Sequence, residues 1–586
     1  MRKPLSAFLV PFYVLCVLSL SSLAARAQER ERGEGREHEH PNGLVQDWSN
    51  HHAVYPRVGP LHSLISVQRD PRAQQSWQDS LRKDWRRYYR RHRFHGANSG
   101  VHTDWSISLG GGTTAQNQYP AKFGFRPDAV ADCTADYVVF PVNIVGTPTQ
   151  ANLVGLNNLY SGTTPVAGIC NRVVNPGVDD GVSATTLFSY NVTAAIGIIA
   201  TSPTISLDGT KIAVVETGGG AAHFHVLAWK AGDGVATDLQ AAAGSPVSLN
   251  GGFPTLAPAA GSGTMTDLSL GAANDSNSSP FVDYLNDVAY VGNDAGVLFR
   301  IKNVFCTVAC TVGVTAAPSL DTTWNGTGSA DTGCGGQLTG AVVADNGNVF
   351  VGCSNGRLYG FTSAGVPLGT PSIVVGDGSA TGGITDTPIL DTINGLLYAV
   401  SGNNGATQVI VQASATDLGS VVTATLAPGG SHSLHAPALN DAYYTSGVAA
   451  NWMLYEVAPD SSANRINLYG VGFSGAHVMN SGNPTNVDNF GVGGAFEISP
   501  LTEFLTTGGE DRIFESFLNL AGGSLASLRI DTGFPAGPER TTSTSVGSGT
   551  TGIIIDNASA SNQADSIYFG ALGANTAVKL TQGSLQ

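Results

Sequence analysis

The sequence predicts an all-β fold: a single β-propeller of four-stranded blades, eight by count, with seven as the alternative. Three observations carry this. From residue 104 onward, short apolar runs alternate with turns rich in Gly, Asn, Asp, Ser and Thr, and no long helical period survives. One unit recurs along this region at a spacing of roughly 60 residues, longer than solenoid repeats and suited to a blade. Composition agrees. Charged residues make up 12% of the chain and glycine 74 of 586 residues, against about 25% and about 7% in ordinary soluble domains. Strands buried on both faces read as apolar runs, and glycine serves the turns between them. These numbers argue against a helical bundle, a coiled coil or a charged disordered chain.

Taken in order, the first element is an address. Arg2 and Lys3 precede an apolar run that ends at Leu23, followed by Ala25, Arg26 and Ala27. That layout predicts a signal peptide over residues 1–27. Pro11 interrupts the run and speaks against a retained anchor. Six cysteines remain after it: Cys133, Cys170, Cys306, Cys310, Cys334 and Cys353. An even number in an exported chain suggests disulfides, and proximity favours Cys133–Cys170, Cys306–Cys310 and Cys334–Cys353.

Residues 28–70 open on the mixed-charge tract QERERGEGREHEHP and are expected to be disordered. Residues 71–95 are expected to form a helix or linker, capped by Asp70 with Pro71 in its first turn. There Arg86, Arg87, Arg90, Arg91 and Arg93 stand among Trp85, Tyr88, Tyr89 and Phe94, a basic-aromatic clamp for an anionic partner. The other reading is a segment resting on the chain's own acidic domain. Residues 28–95 carry 13 Lys+Arg and 9 Asp+Glu, whereas residues 96–586 carry 13 and 35. So acidic a domain repels phosphates, so nucleic acid is not the expected partner.

The repeat region, residues 104–586, follows. Residues 279–301, 339–361 and 387–411 align. Asp283, Asp345 and Asp391 share the first turn, Tyr290, Phe350 and Tyr398 the next strand, and Gly296, Gly356 and Gly405 the second turn. Weaker copies begin after Cys133, at Ser202, at Ala436, near Phe496 and at Ile553. The repeated Asp is expected to stabilise its own turn by bonding backbone two residues on. The isolated strand at residues 104–109 is expected to close the ring as outer strand of the last blade, beside strands at 552–556, 566–572 and 576–580. Residues 241–279 are expected to decorate one face.

Gly356-Arg357-Leu358-Tyr359 and Gly296-Val297-Leu298-Phe299 resemble the blade turns of quinoprotein-like (pyrroloquinoline-quinone-dehydrogenase-like) propellers. The run from Ser206 to Ala213 is similar to the S-x-D-G-x-x-I-A turn of TolB-type propeller repeats. The chain also resembles a group of exported, Gly/Ser/Thr-rich bacterial proteins in DWSISLGGG, YPAKFGF, SPTISLDGTKIAVVE, SPLTEFL, GIIIDN and AVKLTQGSLQ. These resemblances imply a propeller in a secreted or periplasmic protein, and no activity. Quinoproteins dock their blades with repeated tryptophans and hold the quinone with a disulfide between neighbouring cysteines. Here the repeat region has only Trp105, Trp229, Trp324 and Trp452, and no such cysteine pair, so no cofactor is expected.

Chemical candidates are few. His223 and His225 lie two apart, share a strand face, and are expected at the surface. His432 and His435 sit in a Gly/Ser loop before a strand. A metal site would need His477 as well and has no supporting spacing. No G-x-S-x-G elbow stands in a strand-turn-helix context. No catalytic, cofactor or metal residue is therefore assigned. The resulting expectation is an exported monomer acting as a binding or scaffold module, its ligand site at one end of the central channel. Its partner is an extracellular or cell-envelope ligand, a glycan or anionic polymer, and nothing beyond the leader is expected to anchor it in a membrane. The alternative is a polysaccharide-directed lyase or hydrolase, with carboxylates and His223, His225, His432 or His435 lining that channel.

Overall fold

Each copy of the repeat folds into an antiparallel meander. Blade 4 shows the unit: Leu338–Val343, Val349–Cys353, Arg357–Phe361 and Pro367–Val374, paired in that order. Its first three strands are almost entirely buried, while the outer strand is mostly exposed apart from Leu368 and Ile373. The structure, a computed structural model, describes residues 44–55, 72, 101–124, 131–161, 169–170, 183–193, 197–235, 246–249, 263–271, 275–305, 317–378, 383–428, 432–482, 484–505, 510–519, 522–531, 539–556 and 566–582. Residues Asn42–Gln586 belong to one unit. Eight such blades form the propeller. Their innermost strands are Ala121–Gly124, Thr204–Ile205, Phe281–Asp283, Leu338–Val343, Ile389–Asp391, Ala438–Leu439, Thr502–Leu505 and Ile554–Asp556.

The repeated Asp does what its local geometry allows. Asp283 accepts from the N–H groups of Leu285 and Asn286, and Asp391 from those of Ile393 and Asn394, at 3.0–3.2 Å. In blade 4 the neighbouring Asn346 makes the equivalent bond, to Asn348 N–H. Ser206 and Asp208 close the TolB-like turn: Asp208 accepts from Ser206 Oγ and Thr210 N, and Ser206 Oγ accepts from Lys211 N. Glycine also marks where neighbouring blades meet. A Cβ on Gly292 would lie 2.6 Å from Leu338 Cβ, and one on Gly352 2.6 Å from Ile384 Cγ2.

Three departures from the simple unit follow from the sequence. Blade 2 has only three strands before Trp229, so its outer edge comes from the insertion, as Thr264–Met265 and Leu268–Ser269 on Ala221–Ala228. The insertion also gives Val247–Leu249, which pairs parallel with blade 1. Its described residues thus complete blade edges rather than decorate a face. The third departure is the long strand Thr485–Ile498, which pairs first with Arg465–Gly472 of blade 6 and then with Asp511–Asn519 of blade 7. The ring closes as expected: Val101–Ser108 pairs with Thr576–Gln582 as outer strand of blade 8. Cys133–Cys170 and Cys334–Cys353 are bonded, with Cα atoms 5.5 and 6.4 Å apart. Cys306 and Cys310 lie outside the described residues. Among the described residues no helix is long and apolar enough to cross a membrane.

Residues 44–55 depart from the expected disorder of residues 28–70. Leu44–Gln46 pairs antiparallel with the innermost strand of blade 1, Leu44 opposite Gly124 and Gln46 opposite Lys122. One helical turn, Ser49–His52, follows. Ala53–Val54 then pairs parallel with the innermost strand of blade 5, Ala53 opposite Leu390. Blades 1 and 5 face each other across an eight-membered ring, so this segment crosses the channel. The reason is physical. Leu44, Val45, Trp48 and Ala53 carry enough apolar surface to bury, and the inner strand edges offer unpaired backbone groups to cover.

Candidate functional site

The segment that crosses the channel is built to turn there. Asp47 accepts from Ser49 N–H at 2.9 Å, and Asn50 Oδ1 accepts from Asp47 N–H at 2.9 Å, a reciprocal cap that starts the helical turn. Trp48 is 1% exposed, and its indole N–H donates to Pro280 O at 3.1 Å, beside blade 3. Its ring meets Phe281 edge-on. Arg72 lies against the same wall, 4.3 Å over the Phe281 ring, donating to Val282 O at 2.9 Å and Ser49 Oγ at 3.3 Å.

At the end of the channel where the innermost strands begin, polar groups from several blades converge. Asp386, just before the inner strand of blade 5, accepts from Thr387 N–H at 2.7 Å and Ala436 N–H at 3.0 Å. His52 Nε2 and His435 Nδ1 face its two oxygens at 3.4 and 3.6 Å. Burial opposes charge on Asp386, but the interactions with His435 and His52 outweigh it and hold the carboxyl well below the usual range. His435 Nε2 lies 3.3 Å from Gln116 Oε1, and Gln116 donates on to Glu497 at 3.3 Å. His51 stacks on Tyr119; burial, then His52, lowers its pKa to about 3. Glu456 is buried as well, and burial, then Glu515 and Asp386, push its carboxyl well above 4.5.

The histidines singled out by sequence do not meet. His223 and His225 lie on the third strand of blade 2, on one face, with rings stacked at 6.0 Å. Contrary to the expected surface location, His225 is fully buried between Glu216, at 2.9 Å, and Thr266 O, at 2.8 Å. The third strand of a blade is covered on both faces by neighbouring blades, so a strand histidine there needs internal partners. His223 pairs with Asp267 at 2.6 Å. His432 is half-buried against Ser461, and His477 stacks on Trp452 with centroids 4.0 Å apart. Only His435 reaches the channel, where it joins His52, which sequence reasoning passed over inside the charged segment. His52 Nδ1 lies 2.8 Å from Trp48 O and His435 Nε2 faces Gln116, while His52 Nε2 and His435 Nδ1 face Asp386 without forming a hydrogen bond. Among the described residues no group of three His, Cys, Asp or Glu side chains is placed to hold a metal ion. The clamp arginines Arg86, Arg87, Arg90, Arg91 and Arg93 lie outside the described residues.

Beside the crossing segment the channel keeps a cavity of about 130 Å³. The segment supplies Gln46, Asn50, His51, Val54 and Tyr55 to its lining, and blades 5–8 supply Ile389, Leu439, Tyr444, Leu501, Glu503, Phe504 and Ile555.

No protein-family model matches the chain, and no curated protein does. Similar solved structures include BamB from Moraxella catarrhalis, at 11% identity and TM-score 0.41, covering 82% of this chain and 98% of that one. Sqt1 of Saccharomyces cerevisiae is similar at 8% identity and TM-score 0.44, covering 82% and 98%. The computationally designed Ika8 protein is similar at 10% identity and TM-score 0.40, covering 81% and 99%. No residue of this chain takes a role from them.

Proposed function

We propose that this chain is an exported β-propeller that works by binding, as a module or scaffold for an extracellular or cell-envelope glycan. The observation that carries this reading is the channel itself. Residues 44–55 cross it and pair with blades 1 and 5, so the place where a polymer-cleaving propeller would thread its substrate is taken by the chain's own backbone. Of the four histidines named for the polysaccharide lyase or hydrolase alternative, His435 lies at the channel beside Asp386, while His223 and His225 stand on the third strand of blade 2. The leader at residues 1–27, the bonded cysteine pairs and the quinoprotein-like and TolB-like turns belong to the same reading of an envelope protein. The basic-aromatic run around Arg86–Arg93 is its second contact, for anionic polymer.

The full mature chain on an array of cell-wall and matrix glycans tests the reading. Saturable retention without change to the glycan is expected. Release of shortened or unsaturated products from any arrayed polymer would replace binding with catalysis. For the basic run, replacing Arg86, Arg87, Arg90, Arg91 and Arg93 by Gln should weaken salt-sensitive retention on an anionic matrix. Deleting residues 28–95 is the wrong variant, because it also removes the segment in the channel.

A further inference from the structure

The two ends of the ring differ in what they expose. In each blade the innermost strand runs away from the Asp386 end. The turns between strands 1 and 2, and between strands 3 and 4, therefore fall at the opposite end. Among the described residues eight large apolar side chains are 40–56% exposed. Six of them stand in these turns: Leu285 in blade 3, Val366 in blade 4, Ile393 and Val421 in blade 5, and Val448 and Val478 in blade 6. Only Val145 and Val374 of this set fall at the Asp386 end. Exposed apolar residues scattered singly need no explanation, but six in the turns of four consecutive blades, all at one end, do. Charge is biased at the same place. The turns of blades 4–6 at this end, residues 344–348, 362–366, 392–395, 415–421, 440–452 and 473–484, carry Asp345, Asp417 and Asp441 and no Lys or Arg. Asp345 and Asp417 are exposed and Asp441 is half-buried.

The course of the chain indicates what covers this face. Ala53–Val54 runs parallel to the innermost strand of blade 5 and so leaves the channel at this end, where Thr392 N–H donates to Val54 O at 3.2 Å. Arg72 is there as well. Its guanidinium donates to Val282 O and stands 5.6 Å from the Tyr284 ring, in the first turn of blade 3. Val101 pairs with Gln582, where the third strand of blade 8 finishes at the same end. The 28 residues between Arg72 and Val101 are thus tied at both limits to the end that bears the apolar and acidic turns. Residues 73–95 hold seven Lys and Arg against two Asp, a net charge of +5, with Trp77, Trp85, Tyr88, Tyr89 and Phe94 among them. They complement the face in charge and in apolar surface. Exposed ion pairs are weak one by one, but tethering at both limits keeps the run at a high effective concentration beside the face.

We propose that the turns of blades 3–6 at this end of the ring are the docking face for residues 73–95 of the same chain, with basic side chains set against Asp345, Asp417 and Asp441 and aromatic ones over the exposed valines, Leu285 and Ile393. The docking stands without the glycan-binding reading. Where both hold, an anionic polymer competes with this face for Arg86, Arg87, Arg90, Arg91 and Arg93.

Zero-length carbodiimide coupling of the full mature chain, read by peptide mass spectrometry, tests it. Lys83 is the one lysine of the run. It should join to Asp345, Asp417 or Asp441 within one molecule. The yield should be independent of protein concentration and should fall several-fold from about 0.05 to about 0.5 M salt. Amide hydrogen exchange gives a second reading. Replacing residues 73–95 by a Gly/Ser run of equal length leaves Arg72 and the channel segment in place. Exchange at residues 392–395, 440–452 and 473–484 should then rise about tenfold while the innermost strands keep their protection. Coupling of Lys83 to turns of blades 7, 8, 1 or 2, or to nothing outside its own run, overturns the face, and so does exchange that the replacement leaves unchanged. Coupling only between molecules, rising with concentration, overturns it in favour of a second copy. Retention on vesicles of phosphatidylglycerol and phosphatidylethanolamine that is lost with Val448→Ser and Val478→Ser overturns it in favour of a lipid surface. None of these measurements involves a glycan. A chain that holds arrayed glycans but shows no coupling keeps the function and loses this face, and a chain that couples but holds no glycan keeps the face and loses the function.

Discussion

Glu456 and Asp283 show what a single side chain reveals of itself in sequence. The role of Asp283 was legible, because its partners are the N–H groups of the next turn, two and three residues on. Asp208, Asp391 and Asp460 follow the same local rule. Glu456 was not legible, because its environment is made by Glu515 and Asp386 on other blades. His225 and His52 were misread or missed for the same reason: their partners Glu216 and Asp386 arrive only when the strands pair and the ring closes. The sign of the Glu456 effect can be worked out. Its folded-state carboxyl titrates well above 4.5, so the folded chain holds a proton that the unfolded chain releases above 4.5. Stability from this group is therefore full below that pH and falls as pH rises toward the folded value. By pH 7 the loss reaches about 3.5 kcal/mol at most, at about 1.4 kcal/mol per pH unit. Glu456→Gln removes the titration and keeps the shape. Its melting temperature should exceed the parent's near neutral pH and converge with it near pH 4.5. A difference that stays constant across this range would mean that Glu456 is ionised in the folded protein.

At the scale of elements, blade strands and the channel segment sit at opposite ends of legibility. A blade strand announces itself by an apolar run between Gly and Asn turns, and each of the eight copies repeats the message. Residues 44–55 offer twelve residues between polar tracts, and their strand partners, Gly124 and Leu390, are far along the chain. The signal that was available is the spacing of Leu44, Val45, Trp48, Ala53 and Val54, an apolar cluster inside a charged segment with a D-x-x-N cap at its centre. Trp48 anchors this element, with 1% exposure and a bond to Pro280 O. Trp48→Ala should cost about 3–5 kcal/mol, as buried tryptophan truncations do. Gly340 provides the complementary probe, since a Cβ there would lie 2.6 Å from Thr387 Oγ1 and 2.8 Å from Trp48 Cη2. Gly340→Ala should lower stability by about 1–3 kcal/mol through overpacking. Denaturant unfolding measures both. Full stability in Trp48→Ala would mean that the segment is not seated against blade 3.

Across the whole molecule, the ring must join residues more than 450 positions apart, and the sequence indicated the strand that does it but not the charges that hold it. Val101–Ser108 was expected on the last blade because a lone strand stood before the first copy, and an open ring would leave an exposed edge. The buried ions at this seam carry no such pattern. Lys579 meets Asp104 at 2.9 Å within blade 8, and Lys122 of blade 1 meets Asp556 of blade 8 at 3.3 Å, all four side chains at most 1% exposed. Burial lowers the Lys579 pKa, and Asp104 works against that shift. Asp104 is the nearest counter-charge to the buried Lys579 and also accepts from Thr581 Oγ1, so removing it takes the main opposite charge from a buried ammonium. Asp104→Leu should therefore cost about 3–5 kcal/mol, whereas Asp104→Leu combined with Lys579→Met should recover most of the loss, since an apolar pair of similar volume is often no worse than a buried ion pair. Where the loss appears is the test of the ring. Blade 8 contributes Thr576–Gln582 to the seam, and blade 1 contributes Lys122. If closure is shared, Asp104→Leu should speed amide hydrogen exchange in the strands of blades 8 and 1 together, leaving blades 4 and 5, across the ring, protected. Faster exchange confined to Val101–Ser108 would show that this strand is a local addition to blade 8 and that the ring holds without it.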